Sequence, residues 1–168
     1  MDTIKITEKF ELIIRNHPYA DSFNKRLLEE ILELQYVKNP VKSNITGKKS
    51  SDFDGRYAKT LTDWIQRVIK QHYPWDFSTK LNGSWIADYG IDDYAVSHDH
   101  TRHGDFSFVY FINTPSGSSP LVFTTSDVKI EAVAGRLVIF PGNVLHHVPK
   151  NKCERRVTAA GNIIFRGG

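Results

Sequence analysis

The sequence predicts an α+β fold, a double-stranded β-helix (jelly roll) with two N-terminal bracing helices. Three observations carry this expectation. From Trp85 onward, short apolar or alternating runs follow one another closely, punctuated by Gly, Pro, Asn and Asp. Before that point, two segments place apolar residues at helical spacing. The chain has 168 residues, 40% of them hydrophobic and 24% charged, which suits one domain with a real core over 1–168. Within it, 1–80 would give helical support and a strand, and 81–166 the jelly-roll core.

Taken in order, "TIKITEKFELII" mixes β-branched and charged residues and supplies one or two strands before "HPY" breaks the chain. From Asp21, a candidate N-cap, Phe23, Leu27, Ile31 and Leu34 fall on one helical face, and the helix should stop at Pro40. The basic stretch "VKSNITGKKSS" reads as a mobile solvated loop, or more sharply as a substrate-facing lid carrying positive charge. Tyr57, Leu61, Trp64, Ile65, Val68 and Ile69 mark a second amphipathic helix ending around "HYP". Both stripes are expected to pack on a sheet. Eight strands follow: "SWIADY", "YAVSH", "FSFVYFIN", "PLVFTT", "VKIEAV", "RLVIF", "VLHHV" and "VTAAGNIIF". That number suits a jelly roll.

Several function classes are disfavoured. No apolar run approaches the roughly 20 residues of a membrane helix, and the N-terminus lacks a signal-peptide core. A lone cysteine, Cys153, rules out an internal disulfide framework, so the expected setting is the cytoplasm. The net charge of +3 is too diffuse to argue for nucleic acid.

Chemistry concentrates in "SHDHTRHGDF", Ser97 to Phe106. Residues two apart on a strand face the same way, so His98 and His100 can converge while Asp99 turns away. Paired imidazoles suit Fe, Zn, Cu or Ni. A second pair, His146 and His147, follows "GRLVIFPGNVL". Neighbours on a strand point to opposite faces, and alternation alone does not choose between them. On the last strand Arg156, Thr158, Ala160 and Asn162 share a face. Arginine inside a barrel is costly without a partner, but with a carboxylate ligand it becomes a bidentate anchor. At an exposed strand start it would simply be solvated.

The order H-x-H, then a lone His after "GRLVIFPG", then R-x-T resembles the Fe(II)- and 2-oxoglutarate-dependent oxygenases. It is similar in particular to a small bacterial and bacteriophage branch related to prolyl-hydroxylase-like enzymes. The matching stretch runs from Trp85 to Ile164. The resemblance implies Fe(II) held by His98, His100 and His146, with the family pattern selecting His146 over His147. It implies 2-oxoglutarate as cosubstrate, gripped by Arg156 and Thr158, with Tyr110 and Tyr89 as further contacts and Tyr94 as packing. The reaction would use O2 to oxidise 2-oxoglutarate to succinate and CO2 while hydroxylating a peptide or small molecule. One departure stands out, since the wider superfamily has a carboxylate at the position of His100. Asp105, from His103-Gly104-Asp105, is the alternative ligand, although the next strand starts immediately after it. A rival reading is a cupin-type metal dioxygenase without 2-oxoglutarate, which gives no reason for Arg156 and Thr158. A non-catalytic jelly-roll binding module is a third. The mouth of the barrel is expected from the 39–55 loop, the "TRHGD" turn and Asp76–Asn82, with Trp75 and Phe77 as either substrate surface or packing.

Overall fold

A computed structural model of the chain describes residues 9–33, 36–38, 44–50, 53–73 and 77–167. Strand β1 (Ile13–Asn16) leads to helix α1 (Ala20–Ile31), then to short strands β2 (Tyr36–Lys38) and β3 (Lys48–Ser50) and helix α2 (Arg56–His72). Eight strands follow: β4 (Phe77–Tyr89), β5 (Ala95–His98), β6 (Phe106–Asn113), β7 (Leu121–Phe123), β8 (Val128–Ile130), β9 (Arg136–Pro141), β10 (His146–Val148) and β11 (Arg156–Gly167). Each of the eight apolar runs of the C-terminal half became one of these strands.

They form two sheets. The larger has the order β1-β9-β6-β11-β4-β3-β2, the smaller β5-β10-β7-β8, and every pairing is antiparallel. From β4 to β11 the chain crosses between the two sheets at every step except the β7–β8 hairpin, which is the double-stranded β-helix. Because β6 and β11 are central in the larger sheet, their two faces serve two different cores. On one face Phe106, Phe108, Tyr110, Ile112, Val157, Ala159 and Ile163 pack against Phe23, Leu27, Ile31, Leu61, Ile65 and Ile69 of the helices. On the other, Val109, Phe111, Val138 and Phe140 meet Leu121, Phe123 and Val148 of the smaller sheet.

The helices form because their apolar stripes find this sheet, and their ends are settled by tertiary contacts. At the start of α1 stands Tyr19, with no side-chain cap, so Asp21 is not the cap expected of it but a first-turn acid favoured by the helix dipole. α1 ends at Ile31, well before Pro40, because the chain turns off to pair β2 with β3. α2 begins after Gly55, and its free N–H groups are met by α1. The Glu30 carboxylate accepts from the backbone N–H of Tyr57 (2.9 Å) and Ala58 (3.0 Å). A charged acceptor on two otherwise unpaired donors ties the helices together.

Other expectations need correction. The basic stretch is not a free loop over its described part. Lys48 and Lys49 pair with Asp88 and Ala87 in β3·β4, and Ile45 bridges to Ala95. Thr46 Oγ1 donates to Asp93 Oδ1 (3.1 Å) and accepts from Tyr94 N (2.9 Å), pinning the approach to β3. Of the first predicted strand, residues 9–12 are irregular and only Ile13–Asn16 pair, while 1–8 lie outside the described residues. The supposed rim segment is strand from Phe77 onward, and Phe77 packs on Phe165 with ring centroids 4.6 Å apart. Trp75, Asp76 and residues 39–43 fall outside the described residues.

Candidate metal centre

Strand pairing brings the two histidine motifs together. β10 lies between β5 and β7, and in the β10·β5 register His146 stands directly opposite His98. Directly opposed residues are the closest side-chain neighbours an antiparallel pair offers. His146 points inward and is 4% exposed. His147 faces the other way, its Nδ1 2.9 Å from Thr124 Oγ1, which in turn lies 2.8 Å from Ser97 Oγ. The choice that alternation left open is thus decided by register.

His100 lies just past the end of β5 and is delivered by its loop. Its backbone N–H donates to the Gly142 carbonyl (2.7 Å), and the Gly142 N–H donates to Asp105 O (2.9 Å). The turn after β5 and the Pro-Gly turn after β9 are therefore in direct backbone contact. A Cβ on Gly142 would run into the Gly104 carbonyl oxygen, so this approach requires glycine. The three rings gather with centroids 4.4 Å (His98–His146), 5.0 Å (His98–His100) and 5.3 Å (His100–His146) apart. Their ligating nitrogens all lie within 4.8 Å of one another.

Two of the rings have a fixed tautomer. His98 Nδ1 is 2.7 Å from Val96 O and His146 Nδ1 is 2.9 Å from Val144 O. A carbonyl only accepts, so each Nδ1 carries the proton and each Nε2 keeps its lone pair free. Burial drives all three away from the imidazolium form. The pKa of His146 is lowered to about 4 and that of His100 to about 3, mainly by desolvation and then by the neighbouring imidazoles, and His98 is lowered too. Three neutral nitrogen donors converging on one point are what a borderline transition metal binds.

The same cavity continues inward between the sheets. It is lined by Trp85, Tyr89, Val109, Leu121, Phe140 and Arg156 besides the histidines. Arg156 is the largest fully buried side chain and is 1% exposed. Its Nε donates to the Ser119 carbonyl (2.8 Å), while Nη1 and Nη2 have no hydrogen-bond partner among the described residues. The guanidinium lies over the rings of Tyr89 (4.8 Å) and Phe111 (5.2 Å). Thr158 lines the cavity two residues further along β11. A buried guanidinium with both ends of its fork unpaired fits an incoming carboxylate, which would take both N–H groups at once.

Of the residues singled out in the sequence, His98, His100, His146, Arg156, Thr158 and Tyr89 meet in this cavity. Tyr110 does not. It lies on the helix face of β6, donating to Asn24 Oδ1 (2.7 Å) among Phe23, Trp64 and His17. Asp105 is exposed and accepts from Phe165 N (2.7 Å), and Asp99 is exposed with Thr101 N as donor (3.2 Å). Neither carboxylate joins the histidine group. Sequence reasoning missed the Ser119 carbonyl, since a backbone acceptor has no residue signature. It also missed Lys49, whose Nζ lies 4.1 Å from the ring centre of Trp85.

No protein-family model and no curated protein matches this chain. Solved structures do. A viral collagen prolyl hydroxylase from Paramecium bursaria Chlorella virus-1, in complex with 2-oxoglutarate, superposes with a TM-score of 0.69 at 11% identity, over 90% of this chain and 94% of that one. A prolyl-4-hydroxylase from Pseudomonas putida gives 0.66 at 19% identity, covering 94% and 92%. The α-ketoglutarate-dependent epimerase SnoN of nogalamycin biosynthesis gives 0.72 at 10% identity, covering 92% and 77%. The fold is that of the 2-oxoglutarate–Fe(II) oxygenases, as the residue pattern had led one to expect.

Proposed function

We propose that this chain is an Fe(II)- and 2-oxoglutarate-dependent dioxygenase that hydroxylates a peptide or small-molecule substrate. One observation carries the reading. The fully buried Arg156, with Nη1 and Nη2 unpaired, shares a cavity with three neutral imidazoles. A cupin-type dioxygenase working without 2-oxoglutarate leaves that guanidinium unexplained, and so does a sugar- or protein-binding jelly roll.

His98, His100 and His146 would hold the metal, His98 and His146 through the Nε2 atoms left free by their Nδ1 contacts to the Val96 and Val144 carbonyls. The bound iron supplies the O2 chemistry that converts substrate C–H, 2-oxoglutarate and O2 to the alcohol, succinate and CO2. Everything else falls to the protein. Arg156 would take the distal carboxylate of 2-oxoglutarate on its free fork, with the Thr158 hydroxyl beside it. Tyr89 supports the guanidinium from one face, and burial pushes its phenol pKa up, so it stays a neutral donor. Val109, Leu121 and Phe140 give the cavity apolar walls that exclude water and hold the reactants in one geometry. The third ligand is then His100 and not Asp105, whose carboxylate is occupied by Phe165 N.

No helix among the described residues is long and apolar enough to cross a membrane. The buried free thiol of Cys153 fits a reducing compartment, in keeping with a cytoplasmic enzyme. Anaerobic addition of Fe(II) and 2-oxoglutarate to the purified chain tests the reading. A weak visible charge-transfer band is expected, and its loss in His146→Ala and Arg156→Met. If Fe(II) binds without any such band at saturating 2-oxoglutarate, the reading fails.

A further inference from the structure

Lys49 is a cation placed with some care. It sits in β3 opposite Ala87, a cavity-lining residue of β4, whereas its neighbour Lys48 pairs with Asp88 on the other face. Both ends of β3 are fastened. Thr46 is held by Asp93 and Tyr94, and Ser50 Oγ accepts from Ile86 N (2.9 Å). The ammonium rests on the Trp85 indole, 4.1 Å from the ring centre, and that ring lies 5.8 Å from the ring of His100. Lys49 is half-buried, and among the described residues it makes no ion pair.

A partly desolvated cation without a counter-ion among the described residues is costly, and stacking on an indole recovers only part of that cost. The cosubstrate does not account for it. The distal carboxylate of 2-oxoglutarate has the Arg156 fork, and the other end of the molecule has the metal. What remains to be recognised beside Trp85 and the histidines is the substrate. We propose that Lys49, propped on Trp85, recognises an anionic group of the substrate, a carboxylate or a phosphate, and sets it beside the histidine centre. The inference rests on the proposed oxygenase function and adds the substrate class. A compact ammonium with three rotatable donors accepts either anion, whereas a rigid fork would favour planar pairing. A cation resting on a residue that lines the cavity also draws anions toward it, an effect that salt screens.

The test uses the full chain loaded with Zn(II) and 2-oxoglutarate, followed by tryptophan fluorescence, with Trp85→Phe to assign the signal. Three probes are titrated: N-acetyl-glutamic acid amide, N-acetyl-phosphoserine amide and the neutral N-acetyl-glutamine amide. At least one acidic probe should change the Trp85 emission saturably, and about tenfold more tightly than the neutral one. The two acids distinguish carboxylate from phosphate. Lys49→Met should abolish the preference and Lys49→Arg restore most of it. The inference is overturned by an equal response to glutamine, by no saturable response to either acid, or by an unaltered response in Lys49→Met. It is also overturned if Lys49→Met mainly raises the 2-oxoglutarate concentration needed for loading, because the ammonium would then serve the cosubstrate. The Fe(II)–2-oxoglutarate band of the unaltered chain reports on the proposed function separately, so the two failures are distinguishable.

Discussion

Replacing Arg156 by Met should weaken ligand binding strongly while changing the stability of the chain alone much less. In the chain alone the guanidinium is fully buried and only its Nε is hydrogen-bonded, to Ser119 O. Removing a buried charge that lacks a partner, with a side chain of similar length left in its place, relieves a desolvation penalty of about 1–4 kcal/mol. Against this stands the loss of one hydrogen bond from a charged donor, about 1.5–3 kcal/mol, with the Ser119 carbonyl left unpaired. The two offset each other to within about 2.5 kcal/mol, so the apoprotein should melt within about 10 °C of the parent, upward if desolvation dominates. The ligand tells a different story. Removing one partner of a buried, hydrogen-bonded charge pair costs about 2–5 kcal/mol, so 2-oxoglutarate should bind at least about 30-fold more weakly. Thermal melts with Zn(II), with and without 2-oxoglutarate, show both effects. At a hundred times its dissociation constant the ligand stabilises the parent by about 2.7 kcal/mol, and at the same concentration that increment should fall below about 0.9 kcal/mol in the variant. If Arg156→Met melts far below the parent yet keeps the full increment, the guanidinium is a structural part and the carboxylate assignment is wrong.

Tyr110→Phe tests the placement of that residue on the helix side. Leaving Asn24 Oδ1 without its donor should cost about 1–2 kcal/mol in chemical denaturation, and 2-oxoglutarate binding should not change. Gly142→Ala adds a methyl group where the two site loops touch, so metal affinity measured by calorimetry should fall while helix content by circular dichroism stays intact. The depressed pKa values of His146 and His100 give the metal-free protein a pH dependence of known sign. Their folded values of about 4 and about 3 lie below the unfolded value of 6.5, so the unfolded chain takes up protons first. Stability is full above pH 6.5 and declines as pH falls toward 4 and then 3. The melting temperature of the metal-free chain should begin to fall below pH 6.5, and less steeply in His146→Gln. An identical decline in parent and variant would refute this.

How much of this was legible beforehand depended on whether a residue's setting is local. The eight C-terminal strands were readable because turns bound each run, and Arg156 and Thr158 because they lie two apart on one strand. His146 could be separated from His147 only by family pattern, since the deciding fact is its register opposite His98, a partner 48 residues away by the difference of their numbers. Tyr110 was misplaced for a physical reason. β6 is covered on both faces, so "FSFVYFI" carries no polar beat to mark which side is which. β2 and β3 are three residues each and exist through pairing to each other and to β4, a contact that composition does not announce. The end of α1 was placed too late because the proline rule marks where a helix cannot continue, not where the chain finds a better partner.

The larger sheet acts as a partition. Its outer face, sealed by α1 and α2, holds the larger apolar cluster, while its inner face carries Arg156 and Thr158 and looks across the cavity at the histidines held by the smaller sheet and its loop. Cohesion and chemistry are thereby kept on opposite sides of a single layer of backbone. Inner-face positions such as Val109 and Phe140 can be exchanged to reshape the chamber while the helix-side packing is left untouched. A lineage, or an engineer, can therefore move such a scaffold between targets without first having to rescue its foldability.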